Sequence, residues 1–241
     1  MRLSERCYAV TGLAYALPWI VNAGFIVGDE ETLIVDTGAN ALAAATIHGY
    51  ATAVRPENRL RVVNTERHFD HIGGNGFFQE LGVPLHGHPG IARTSAEFAA
   101  ERSGFHPAFH YATPLVNPSH AVTETFELGA CRVDVLPTPG HTATNISLFV
   151  PSEGVLYSGD CLTNIYAPNM DAGEGLPDWQ LWLESLDRIE ALTPEAIVCG
   201  HGPVVQAEDV TSVFARVRDA IRQRVAAALE IATAEPEDID S

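Results

Sequence analysis

The 241-residue chain contains no lysine, so all 14 of its basic residues are arginine. That excludes lysine Schiff-base catalysis and a phosphate-loop lysine. Positive charge is scarce altogether: 31 acidic residues leave a formal net charge of −17. Nucleic acid and anionic membranes need a positive surface, so neither is expected as a partner. The same acidity also serves solubility. Cysteine is sparse. Cys7, Cys131, Cys161 and Cys199 are the only four, and no two have the C-x-x-C spacing. That argues against a thiolate metal site or a dithiol redox motif. Cys131 reads as a small buried hydrophobe. No apolar run of about 20 residues marks a membrane span. Residues 1–6 carry neither a long apolar run nor a small-residue cleavage site. The expectation is a cytoplasmic protein with free thiols. With 46% hydrophobic residues and no internal repeat, residues 1–241 are expected to form a single domain.

Metal-ligating side chains, in contrast, are dense. The stretch Thr65-Glu66-Arg67-His68-Phe69-Asp70-His71-Ile72-Gly73-Gly74-Asn75 follows an apolar run at 60–64 that predicts a buried strand. Gly73 and Gly74 predict a turn into a following helix. The stretch should therefore lie at a strand-to-loop junction, where a rigid element aims side chains into a cleft. In an extended segment Glu66, His68 and Asp70 would share one side, with His71 joining from a turn. Imidazole suits zinc, iron and manganese, and carboxylates suit harder ions. Taken alone, the stretch is also compatible with a polar loop holding two unrelated histidines. Three further apolar runs have the same form, ending in a glycine beside a ligand type: 133–141 with His141, 155–160 with Asp160, and 196–202 with His201. Four such strand ends can converge on one edge of a sheet sandwich.

In order and spacing these motifs resemble the metallo-β-lactamase superfamily, from Asn22 to about Val205. The resemblance implies an α/β fold, a four-layer αββα sandwich, and one or two divalent metal ions as cofactor. It assigns Glu66, His68 and His141 to one ion, Asp70, His71 and His201 to the other, and Asp160 to a bridge between them. Asp36 would support the ligands from behind, because a carboxylate accepting an imidazole N–H fixes its tautomer. The usual motif has histidine at position 66. Glutamate there adds negative charge, so iron or manganese becomes more competitive with zinc, the expected metal. Glu66 could instead pair with Arg67, leaving that site weak or empty.

The resemblance further implies hydrolysis of a small-molecule ester, lactone, thioester or amide by a metal-activated hydroxide. Asp70 would carry a proton to the leaving group. A bridging Asp160, and no lysine to anchor an antibiotic carboxylate, point away from β-lactams. Two alternatives stay open. One is an iron-dependent redox or oxygen-using enzyme on the same fold, and the other a binding or regulatory protein with a degenerate metal site.

The rest of the chain reads as strands at 8–10, 22–27 and 32–36, a helix at 39–55, a short helix at 74–81, a strand at 84–89 and a helix at 91–102. Residues 103–120 lack periodicity and form a candidate substrate cap. A hairpin at 124–135 and strands at 147–150 and 154–158 precede amphipathic helices at 179–192 and 210–232. The acidic tail at 235–241 is expected to be flexible. Trp19, Ile20, Tyr166, Asn169 and Met170 are candidate substrate-wall residues. His48, His86 and His88 fall outside the ligand pattern and are read as structural, and Trp182 as core. Homo-oligomerisation is left open.

Overall fold

Alternating burial explains why the strands read as near-continuous apolar runs. In Glu31–Val35 (β3), Leu33 and Val35 enter one apolar cluster while Ile34 enters another on the opposite face. In Val155–Gly159 (β10), Val155 and Tyr157 face one cluster and Leu156 a second. Both faces of each sheet are therefore covered, and polar alternation disappears. The structure, a computed structural model, describes residues 1–13, 20–103, 114–122, 124–165 and 179–233, with the side chains of 102 and 227–233 left undescribed.

One six-stranded sheet runs β1 (Cys7–Val10), β2 (Ala23–Val27), β3, β4 (Arg59–Val63), β5 (Leu85–Gly87) and β6 (His120–Ala121). Its first two pairings are antiparallel and the next three parallel. The other sheet runs β12 (Val205–Gln206), β11 (Ala196–Cys199), β10, β9 (Ile146–Val150), β8 (Cys131–Pro137) and β7 (Thr125–Leu128). There only β10 and β11 are parallel. The sheets pack face to face through Ile26, Leu33, Val35 and Val63 on one side and Val133, Leu148, Val155 and Val198 on the other. Helices α1 (Ala41–Val54) and α3 (Asn75–Glu80) cover the outside of the first sheet through Ile47 and Phe78. Helices α5 (Trp179–Glu190) and α6 (Val210–Thr233) cover the second through Trp182, Leu186, Phe214 and Ile221. Each such buried side chain is worth about 1.5–3 kcal/mol. The layers are α, β, β, α, as expected.

Several boundaries differ from expectation. The helix placed at 91–102 begins later, as α4 (Ser95–Ser103). Its start is set by a reciprocal cap: Thr94 Oγ1 accepts from Glu97 N at 3.2 Å, and Glu97 Oε2 accepts from Thr94 N at 2.7 Å. The 103–120 segment is not wholly irregular, since its last residue opens β6 beside β5. Residues 104–113, the bulk of the candidate cap, lie outside the described residues, as does the tail from 234. Strand β12, two residues long, is too short to leave a periodic signal. All four cysteines are free and buried. Burial pushes the thiols of Cys7 and Cys199 up to about 12. Among the described residues no helix is long and apolar enough to cross a membrane.

Candidate metal centre

Chain segments leaving β3, β4, β8, β10 and β11 deliver Asp36, Glu66, His141, Asp160 and His201 to one edge of the sandwich. Close approach explains the glycines beside these ligands. A Cβ on Gly200 would lie 1.8 Å from Asp160 Oδ1, and one on Gly140 would lie 2.3 Å from Trp182 Cβ. Those glycines let Asp160 sit against the end of β11, and let the segment leaving β8 pack against Trp182.

Asp70 departs from the extended geometry expected of it, while His71 joins from a turn. They lie in a single helical turn, α2 (Phe69–Ile72), with His68 at its N-terminus. The His68 carbonyl accepts from His71 N at 3.0 Å and Ile72 N at 3.1 Å. Glu66 and His68 meet directly, His68 Nδ1 lying 2.9 Å from Glu66 Oε1. Residues 70 and 71 are aimed by helical rotation.

The four histidines turn ring nitrogens toward the carboxylates. His68 Nδ1 lies 2.9 Å from Glu66 Oε1, and His71 Nε2 lies 3.4 Å from it. His141 Nε2 is 3.8 Å from Glu66 Oε2 and 3.3 Å from Asp160 Oδ2. His201 Nε2 is 3.2 Å from Asp160 Oδ2 and 3.3 Å from Asp70 Oδ2. Three sets of donor atoms fall within 4.8 Å of one another: Glu66, His68 and His141; Asp70, His71 and His201; and Glu66, His71 and Asp160. Glu66 turns inward to the histidines, while Arg67 reaches Glu97 at 3.7 Å.

Burial disfavours charge on Glu66, Asp160 and the four histidines, but opposite charges oppose it. Burial would raise the Glu66 carboxyl, yet His68, His71 and His141 hold it near 2. Burial would lower His68, but Glu66 lifts it to about 9. His71 is likewise lifted well above its ordinary value by Asp36, Asp160 and Glu66 against burial. Asp160 is held well below the carboxylate range by His201, His71 and His141, again against burial. For His141 burial wins, and its value falls. Buried atoms Glu66 Oε2, His71 Nε2 and Asp160 Oδ1 make no well-directed hydrogen bond. Such orphaned groups are costly unless something else satisfies them. Converging imidazole nitrogens and carboxylate oxygens fit a divalent cation. Cys161 and Cys199 belong instead to the apolar cluster under α5 and α6.

The family model of the metallo-beta-lactamase superfamily matches residues 16–201. The chain belongs to that superfamily. A metallo-beta-lactamase type 2 of Bacteroides fragilis is 23% identical over 212 residues, covering 83% of this chain and 78% of that protein. A hydroxyacylglutathione hydrolase of Maricaulis maris is 28% identical over 186 residues, 75% of this chain, which spans only 62% of that relative. Among solved structures, a metallo-beta-lactamase from Pontibacter korlensis superposes with a TM-score of 0.72 at 20% identity, covering 92% of this chain and 97% of that one. A metallo-beta-lactamase family protein from Thermus thermophilus gives 0.71 at 23% identity, covering 95% and 84%. With relatives named as a lactamase and a hydrolase, the chain falls among the metal-dependent hydrolases of that superfamily.

Asp36 lies behind His71. It takes the left-handed region, φ 63°, and accepts from Thr65 N at 2.7 Å and Thr65 Oγ1 at 2.6 Å. Its Oδ2 lies 2.9 Å from His71 Nδ1, which leaves His71 Nε2 for the cleft. Thr65 was not singled out from sequence, nor was Asn22. Asn22 Nδ2 donates to the carbonyls of Cys199 at 2.9 Å and Gly202 at 2.7 Å, clamping both sides of His201. Asn145 Nδ2 donates to Thr138 Oγ1 and to the Ser158 carbonyl, joining the ends of β8 and β10. No local signal announces the Asn22 contacts, because their partners lie 177 and 180 residues away, whereas Asn145 lies among the Thr and Asn residues that the resemblance places around His141. Trp182 is core, as expected, but its ring also meets the His141 ring edge-on at 5.7 Å.

His48 packs on Phe77, His86 stacks on His120, and His88 Nδ1 accepts from Gly90 N, so all three have structural contacts. Of the substrate-wall candidates, Ile20 anchors its carbonyl on Gly202 N at 3.0 Å, beside His201. Trp19, Tyr166, Asn169 and Met170 lie outside the described residues.

Proposed function

We propose that the chain hydrolyses a small-molecule ester or thioester, with lactones and amides as chemically adjacent substrates. One observation carries this reading. The two donor sets, Glu66, His68 and His141 and Asp70, His71 and His201, adjoin through Asp160, which contacts histidines of both. The first set would hold one ion, the second another, and Asp160 would lie between them. Bound there, divalent ions supply Lewis acidity for a carbonyl oxygen and an acidified water at neutral pH.

The protein's own groups do the rest. Asp36 fixes the His71 tautomer. Asp70 keeps 8% exposure, whereas Glu66 has none. Asp70 is thus the more accessible carboxylate, suited to passing a proton to a leaving group. The relative named as a hydroxyacylglutathione hydrolase supports the thioester class. The relative named as a metallo-beta-lactamase keeps β-lactams in the test. Zinc is the expected metal, with iron or manganese made competitive by Glu66.

The test is a hydrolysis screen of zinc- and manganese-loaded protein against aryl esters, lactones, glutathione thioesters and a chromogenic cephalosporin. Turnover of esters or thioesters, lost in Asp70→Asn, is expected. Turnover of the cephalosporin alone overturns the substrate class. A second reading, an iron-dependent oxygen-using enzyme, is favoured by the extra carboxylate of Glu66. It requires oxygen uptake by iron-loaded protein and none by the zinc form.

A further inference from the structure

Glu66 does more than add a ligand to one set. Both of its oxygens lie against His68 Nδ1, at 2.9 and 2.8 Å, and beyond that ring each approaches a different histidine. Oε1 lies 3.4 Å from His71 Nε2, and Oε2 lies 3.8 Å from His141 Nε2. Asp160 spans the same two rings, with Oδ1 3.3 Å from His71 Nε2 and Oδ2 3.3 Å from His141 Nε2. His71 and His141 belong to opposite donor sets. Two carboxylates therefore stretch between the halves of the centre, one from the end of β4 and one from the end of β10. Glu66 is fully buried, and Glu66 Oε2, Asp160 Oδ1 and His71 Nε2 all lack a well-directed hydrogen bond. Glu66 also appears in two of the three donor sets, once with His68 and His141 and once with His71 and Asp160.

We propose that Glu66 is a second bridging carboxylate, paired with Asp160 and shared by two ions instead of capping one. The inference rests on the reading above that the centre holds two ions. A histidine at position 66 offers one nitrogen to the cleft and cannot span it. A carboxylate offers two oxygens in the span that His71 and His141 define. Two shared carboxylates make the centre more oxygen-rich and more anionic, which shifts its preference toward harder ions such as manganese or iron relative to zinc.

The test is stepwise metal binding by the full chain, read by equilibrium dialysis and ion counting, with manganese and zinc separately. Wild type is expected to bind two ions. Glu66→Gln keeps one carbonyl oxygen but not the charged bridge. It should weaken both binding steps about tenfold or more, at least as much as loss of an indirect partner does. Glu66→His should restore one zinc step and leave the other weakened. If Glu66→Gln moves only one step, Glu66 is a terminal ligand and the bridge is overturned, while the two-ion reading stands. If wild type binds fewer than two ions, the two-ion reading falls and the bridge with it. Far-UV circular dichroism of the chelated proteins checks folding, and should Glu66→Gln not fold, Glu66→Ala carries the comparison, with both steps weakened expected and a change in one step alone overturning the bridge.

Discussion

Replacing Asp36 by asparagine isolates a single proton. Asp36 accepts from Thr65 N at 2.7 Å, from Thr65 Oγ1 at 2.6 Å and from His71 Nδ1 at 2.9 Å. Asparagine tolerates the left-handed backbone at this position, φ 63°, better than alanine would. Its carbonyl can keep the bond from Thr65 N. Its amide then faces Thr65 Oγ1 and His71 Nδ1 with donors. The hydroxyl can rotate and accept. The imidazole can accept at Nδ1 only by moving its proton to Nε2, the atom that faces Glu66 and Asp160. A protonated Nε2 cannot bind a metal. Partners of this kind are worth about 10–100-fold in metal affinity, or about 1.4–2.7 kcal/mol. Zinc affinity, read by competition with a chromophoric chelator, should fall by that factor in Asp36→Asn. Thermal melts of the chelated proteins would report the separate cost of the charge-assisted bonds, about 1.5–3 kcal/mol. A folded Asp36→Asn with unchanged zinc affinity refutes the tautomer argument.

Three further perturbations follow from the packing. Gly200→Ala puts a methyl 1.8 Å from Asp160 Oδ1, so the strand ends must part. A loss of about 1–3 kcal/mol and a drop in bound metal are expected, and an unchanged melting temperature with full metal content would count against the close approach. Trp182→Phe removes the Nε1–H that meets the Cys161 carbonyl at 2.9 Å in a buried site. That should cost about 1–3 kcal/mol in denaturant unfolding. Cys7 and Cys199, pushed up to about 12 by burial, hold only about one thiolate in ten thousand at pH 8. Iodoacetamide should leave both unmodified in the native protein and label them after unfolding; rapid native labelling would contradict their burial.

Much of this protein is determined by its sequence alone. The continuous apolar runs of β3 and β10, the Gly-ligand endings of 140–141, 159–160 and 200–201, and the 3.6-residue spacing of α5 are local signals, written in neighbouring residues. They are enough to place strands, helices and the ligand types at strand ends, while the layer order and the grouping of ligands rest on the resemblance to the superfamily those motifs carry. The capping box Thr94 to Glu97 was equally local, and it sets the α4 start more sharply than the apolar pattern did.

Tertiary structure decided the rest, because the remaining contacts join residues far apart in the chain. The turn of helix that swings Asp70 and His71 inward is held by Thr37 and Asn64, which bond to the His71 carbonyl. Asn22 clamps the His201 loop from more than 170 residues away, with a sequence separation of 177 to Cys199. The span of Glu66 between His71 and His141 depends on where the ends of β4 and β8 fall across two facing sheets. A sequence names the ligand types. Only the packing of one sheet on the other fixes which oxygen faces which ring.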